Sequence, residues 1–228
     1  MTPVVDVHTH VYPPRYLEIL RSRTELPRIR PGASSSGPER LIILPDEDKA
    51  QSTSSGRPIG PEYHDINVKL SFMKRHSIDI SVISLANPWL DFLPPTANTL
   101  ELTKLINDDL QSLCLQHPNS LYAFGALPSM SSPVSGWLET LDHIAQQSRL
   151  KGVILGSKGL GKGLDDPALD PVWQSLEKYK LMTFIHPHYG IGKEQFGELE
   201  NGHVLPLALG FPFETTIVRY PLFLGVAS

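Results

Sequence analysis

Apolar residues fall in short, mostly apolar runs, separated by longer stretches in which they recur every three or four positions. The runs are Val4 to Val7, Ile80 to Leu85, Leu121 to Leu127, Gly152 to Leu155 and Leu181 to Ile185. Each is apolar on both faces, as strands buried in a parallel sheet are. The stretches between them, Asp65 to His76, Asn98 to His117, Val134 to Gln147 and Pro167 to Tyr179, carry the spacing of amphipathic helices. Pro118 and Asn119 stop the second helix, and Asp165, Asp166 and Pro167 open the fourth. The alternation predicts βαβ units and an α/β fold with a parallel sheet. Roughly residues 22–61 break the pattern, being rich in Ser, Pro, Gly and Arg around a lone apolar Leu41-Ile42-Ile43-Leu44. A connection of that length predicts a functional lid or a disordered loop.

At 228 residues the chain is long enough for one domain with a sizeable core. Its net charge of -4, from 20 basic and 24 acidic residues, gives no electrostatic case for nucleic acid or an anionic membrane surface. A small molecule or another protein chain is the expected partner. The single cysteine, Cys114, falls in a helical pattern, which leaves no disulfide framework and no thiolate metal site. No basic segment precedes an apolar core at the N-terminus, and no apolar run is long enough to span a bilayer. A cytoplasmic location is expected on these grounds.

Chemistry concentrates at strand ends. In Val4-Val5-Asp6-Val7-His8-Thr9-His10, alternate side chains of a strand share a face, so His8 and His10 point the same way. Paired imidazoles suit zinc and its neighbours, although two polar residues at a strand exit need bind nothing. A second strand of the same kind, Leu181-Met182-Thr183-Phe184-Ile185-His186-Pro187-His188, favours the metal reading. On a barrel, His8, His10 and His186 would converge and leave positions open for water or substrate. His188 follows Pro187, which breaks the ladder, and is read as supporting or substrate-facing.

Three other features weigh less. Gly156-Ser157-Lys158-Gly159-Leu160-Gly161-Lys162-Gly163 nearly spells a phosphate loop. Gly163 stands where a magnesium-binding hydroxyl is needed, and Asp165 and Asp166 would repel the anion, so a flexible active-site loop is preferred. Asn87 and Trp89 could bind and wall a planar ligand, but Asn87-Pro88 also reads as a plain turn. Arg57, in Gly56-Arg57-Pro58 of the long loop, reads as a solvated surface cation, of interest only if the substrate bears a carboxylate.

Together these segments, with Gly202-His203-Val204-Leu205-Pro206-Leu207-Ala208-Leu209-Gly210, resemble the decarboxylase branch of the amidohydrolase superfamily. That group contains aminocarboxymuconate-semialdehyde decarboxylase, and the isoorotate and salicylate-type decarboxylases are the members most alike. The resemblance implies a distorted (β/α)8 TIM barrel, one zinc or other divalent ion such as manganese, and non-oxidative loss of carbon dioxide from a planar ring acid. It implies His8, His10 and His186 as metal ligands, Arg57 and Asn87 as substrate contacts, and a homodimer in full-length relatives. The family also uses a histidine on the sixth strand and an aspartate on the eighth. The likeness runs to about Ile217 and covers about five strands, so residues 1–217 are expected to form a C-terminally truncated barrel. Residues 218–228 are expected to be a divergent tail from a retained intron, a frameshift or a mispredicted gene end, and the missing acid to leave activity impaired. The rival expectations are a metal-dependent hydrolase and a non-catalytic protein that keeps only metal or ligand binding.

Overall fold

The computed structural model describes residues 2–32, 37–49, 56–188 and 206–225. Gly202 to Leu205, drawn on for the resemblance, lie outside the described residues. The chain runs β1 (Val5–Val11), α1 (Pro14–Ser22), β2 (Arg28–Arg30), β3 (Arg40–Ile42), α2 (Pro45–Lys49) and β4 (Arg57–Pro58). It continues α3 (Ile66–Arg75), β5 (Ile80–Leu85), α4 (Ala97–Gln116), β6 (Leu121–Gly125), α5 (Val134–Ala145), β7 (Leu150–Gly156), α6 (Asp170–Tyr179) and β8 (Met182–His186). A π-helical turn at Pro206–Gly210 leads into α7 (Phe211–Gly225), a helix that crosses the expected boundary at residue 217.

The five expected strands form one parallel sheet in the order β1-β5-β6-β7-β8. Neighbours in sequence are neighbours in space, with a helix returning the chain each time, as in a (β/α) barrel. Flat strands about 4.8 Å apart would hold β1 and β8 roughly 19 Å from each other. The ring centroids of His8 on β1 and His186 on β8 are instead 5.3 Å apart, so the sheet curls like half of a barrel.

Two apolar clusters hold this arrangement. Ile83, Ala123, Val153 and Leu155 face outward and pack with Leu110, Cys114, Trp137, Leu141, Ile144, Val172 and Leu176 from the helices. Val82, Phe124 and Ile154 face the concave side and join Tyr16, Leu17 and Leu20 of α1. A buried amide fixes the end of β6: Asn107 accepts from Ala126 N at 2.8 Å and donates to Ala126 O at 3.0 Å.

The stretch expected as one long loop holds more structure than its composition suggests. β2, β3 and β4 pair antiparallel, and Ile29, Leu41, Ile43 and Ile59 from this region are buried in the concave-side cluster. Strands of two or three residues carry no readable period, which is why only the apolar Leu41 to Leu44 stood out. No helix among the described residues is long and apolar enough to cross a membrane.

Candidate metal centre

β1 does not run as an uninterrupted ladder. Asp6 pairs with Ser81 but Thr9 pairs with Ile83, so one extra residue lies between them. Such a bulge resets the alternation and re-aims side chains. Val5 and His10, opposite Ile80 and Ser84, therefore share a face although five positions apart. The Asp6 carboxylate accepts from the His8 N–H at 3.0 Å within the bulge. Both histidines sit inside β1, which extends to Val11, rather than beyond its end.

His8, His10 and His186 come together, with candidate ligand atoms all within 4.8 Å of one another. The rings meet edge-on, with centroids 5.2 Å apart for His8 and His10 and 5.1 Å for His10 and His186. His8 is exposed, His10 half-buried and His186 buried, so one side of the cluster opens to solvent. The His186 Nδ1–H donates to Pro187 O at 2.7 Å, because a carbonyl can only accept. That leaves Nε2 of His186 with its lone pair. His10 Nδ1 lies 3.0 Å from the Ser84 hydroxyl, which fixes the ring by the nitrogen remote from the cluster if Nε2 faces inward.

Burial also holds His10 and His186 neutral. Desolvation, with His186, His8 and Lys69 nearby, lowers the pKa of His10 to about 3. Desolvation lowers His186 to about 4, against the opposing pull of the Pro187 carbonyl. Lys69 reaches β1 from α3, donating to the Thr9 hydroxyl at 2.6 Å, and its own pKa is lowered by burial. Neutral nitrogens with their second ring nitrogens engaged are what a divalent cation requires of histidine ligands. The donor set fits a metal site with positions left open.

The other residues singled out from sequence surround this cluster unequally. Trp89 presents its ring edge-on to His186 at 5.5 Å and to His188 at 4.9 Å. It adopts a left-handed backbone, φ 51°, and is held there by its indole N–H on Leu85 O and by Tyr16 OH donating to its carbonyl. His188 is 2% exposed, with Nε2 3.4 Å from Asp91 Oδ2 and Nδ1 3.1 Å from Ser157 Oγ. Its ring lies against Gly156, where a Cβ would fall 2.1 Å from His188 Cε1. Asn87 donates its amide to the carbonyls of Pro187 and His188, leaving a buried Oδ1 with no hydrogen-bond partner among the described residues. Arg57 pairs with Leu41 across β3 and β4, so it shares a face with that buried side chain; its guanidinium makes no hydrogen bond or ion pair with any described residue.

Reading the sequence alone missed Ser84, Ser157, Asp91, Phe184 and Glu214. Ser84 lies within the segment already singled out around β5, three residues before Asn87. Phe184 packs against both His8 and His186, with centroids 5.1 Å and 5.6 Å away, and alternation with His186 could have placed it on the same face. Nothing in local sequence joins Glu214 to Ser157, 57 residues earlier.

No protein-family model matches the chain. It is 27% identical over 169 residues to the 2-amino-3-carboxymuconate-6-semialdehyde decarboxylase of Dictyostelium discoideum, covering 74% of this chain and 45% of that protein. Among solved structures, Metarhizium anisopliae IDCase in apo form matches with a TM-score of 0.88 and 44% identity, over 97% of this chain and 61% of that one. The chain's homologues are amidohydrolase-superfamily decarboxylases. It spans less than half the length of the Dictyostelium decarboxylase and about three fifths of the Metarhizium protein. The 5-carboxyvanillate decarboxylase of Novosphingobium aromaticivorans, solved with manganese and 4-hydroxy-3-methoxy-5-nitrobenzoic acid, matches with a TM-score of 0.66 over 95% of this chain and 59% of that one. At 15% identity that likeness shows the fold alone.

Proposed function

We propose that this chain carries the metal-binding part of a non-oxidative decarboxylase acting on a planar ring acid, with uracil-5-carboxylate and salicylate-type acids as the substrates to try first. The convergence of His8, His10 and His186 from the two end strands of the sheet carries the reading, and likeness to decarboxylases supports it. We assign zinc to the site because nitrogen donors suit it; the manganese of the Novosphingobium enzyme is the alternative. The cation would supply positive charge to fix and polarise the acid.

This chain's own residues have distinct tasks in that reaction. Arg57 binds the carboxylate through its planar fork. Asn87 Oδ1 accepts from a polar edge of the ring, Trp89 walls it, and His188 supports the same wall. The ring carbon gains a proton as its bond to the carboxylate breaks and carbon dioxide leaves. We take the proton-donating aspartate and a further histidine to belong to the family's later strands, the location to be cytoplasmic and the full-length relatives to be homodimers. Residues 1–217 are read as barrel and 218–228 as a divergent tail, a division tested by sequencing the transcript past the codon for Ile217.

A second reading, metal or ligand binding without turnover, is favoured by one observation. Among the described residues no carboxylate joins the three histidines. Incubating the metal-loaded chain with each acid and measuring carbon dioxide separates the two. Release that disappears in His8→Ala/His10→Ala supports the decarboxylase; tight metal binding without release supports the second reading. Ring-opened product in place of carbon dioxide would overturn both in favour of a hydrolase.

A further inference from the structure

The turn that follows His186 is pinned at every main-chain polar group. His186 O accepts from Ser157 N at 3.0 Å. Pro187 O accepts from the His186 ring at 2.7 Å and from Asn87 Nδ2 at 3.3 Å, and Asn87 also donates to His188 O. The remaining group, His188 N–H, donates to Glu214 Oε1 at 2.8 Å. The same carboxylate oxygen accepts from the Ser157 hydroxyl. Glu214 thus ties together three separate elements: the turn after β8, the turn after β7, and the first turn of α7, where a negative charge is favoured by the helix dipole. Because the His186 ring is oriented by Pro187 O, whatever fixes the turn also fixes the ring.

We propose that Glu214 is a positioning residue for the metal ligand His186, acting through the Pro187–His188 turn. The inference rests on the metal reading given above. What matters is the reach of its acceptor oxygen, not its charge. Loss of that acceptor leaves the N–H of a residue 2% exposed without its partner and frees the Ser157 hydroxyl, so the turn, and with it the His186 ring, loses its fixed orientation.

Cobalt(II) is the probe, titrated into the purified metal-free chain against a competing chelator, with its visible spectrum reporting ligand geometry. Glu214→Asp keeps the charge but withdraws the oxygen, and affinity is expected to fall about 10- to 100-fold, the usual cost of losing a group that orients a ligand. Glu214→Gln loses the charge but keeps an oxygen at the same reach, and is expected to retain the wild-type spectrum and affinity to within about threefold. Glu214→Ala should behave like Glu214→Asp; if it does not fold, the Asp and Gln pair decides. Wild-type behaviour in Glu214→Asp, or weak binding in Glu214→Gln, overturns the inference while leaving the metal site standing. A wild-type chain that binds no cobalt overturns the metal reading and the inference together.

Discussion

His10 and His186 stand on β1 and β8, the two ends of the strand order, with ring centroids 5.1 Å apart. One exposed, one half-buried and one buried imidazole, joined by no carboxylate among the described residues, would gain little from such closeness. A cation between them would account for the arrangement. Zinc added to the metal-free chain is therefore expected to raise the melting temperature. At a concentration 100 times Kd the native state gains about 2.7 kcal/mol, or roughly 5–10 °C for a chain of this size. His8→Ala/His10→Ala should abolish the shift, and an equal shift in both proteins would remove the assignment.

Ser84 has no predicted contact with substrate, yet its hydroxyl holds His10 Nδ1 at 3.0 Å. Ser84→Ala is expected to weaken zinc binding about 10- to 100-fold with the fold intact, because a ligand freed at its second nitrogen must be ordered by the metal itself. Chelator competition with circular dichroism on the same samples measures both halves of that statement.

Acid sensitivity follows from burial. In the unfolded chain both imidazoles titrate near 6.5, but in the folded protein His10 titrates at about 3 and His186 at about 4. Between those limits the unfolded state holds more protons, so stability falls as pH is lowered from about 6.5 toward 3–4 and is unaffected by these groups above it. The melting temperature of the metal-free protein should decline through that window, and His10→Asn should flatten the decline. A temperature midpoint that does not move between pH 7 and 4 would contradict the burial argument.

Asn107 offers a test of the fold apart from the site. Asn107→Leu keeps similar bulk but leaves both Ala126 main-chain groups without partners in the core. Each orphaned group costs about 1–3 kcal/mol, which denaturant unfolding would register as a lower midpoint with an unchanged slope.

Arg57 tests the substrate class. A charge-assisted bond to a carboxylate is worth about 1.5–3 kcal/mol, so Arg57→Ala should raise KM roughly 10- to 100-fold wherever turnover is measured. Arg57→Lys should recover only part of that, since an ammonium lacks the two-pronged fork. An unchanged KM in Arg57→Ala would place the carboxylate elsewhere.

The sheet was legible because buried parallel strands are apolar on both faces and their helices keep a clear period; all five runs and four helical stretches recur in the structure. α1 and the small antiparallel sheet were not; β2, β3 and β4 are two or three residues each and exist only through pairing with partners well outside any local period. At the site the histidines announced themselves by spacing. The bulge at Asp6–Thr9 did not, because nothing in Val-Asp-Val-His says that one residue will be left out of the ladder. Glu214 was hidden for a similar reason: its partners belong to turns it meets only after the sheet has curled.

The curl has a mechanical side. β1 and β8 share no ladder, so an ion bound by His10 and His186 would be a cross-link between the outermost strands, closing a loop of nearly the whole described sheet. Such a clasp acts through the folded state alone, because only the curled sheet brings the ligands of its two outermost strands together and the unfolded chain offers no preformed site. Pulled apart by its two outer strands, the sheet would uncurl across the gap between β1 and β8 when metal is absent, and would resist there until the ion is lost when it is present.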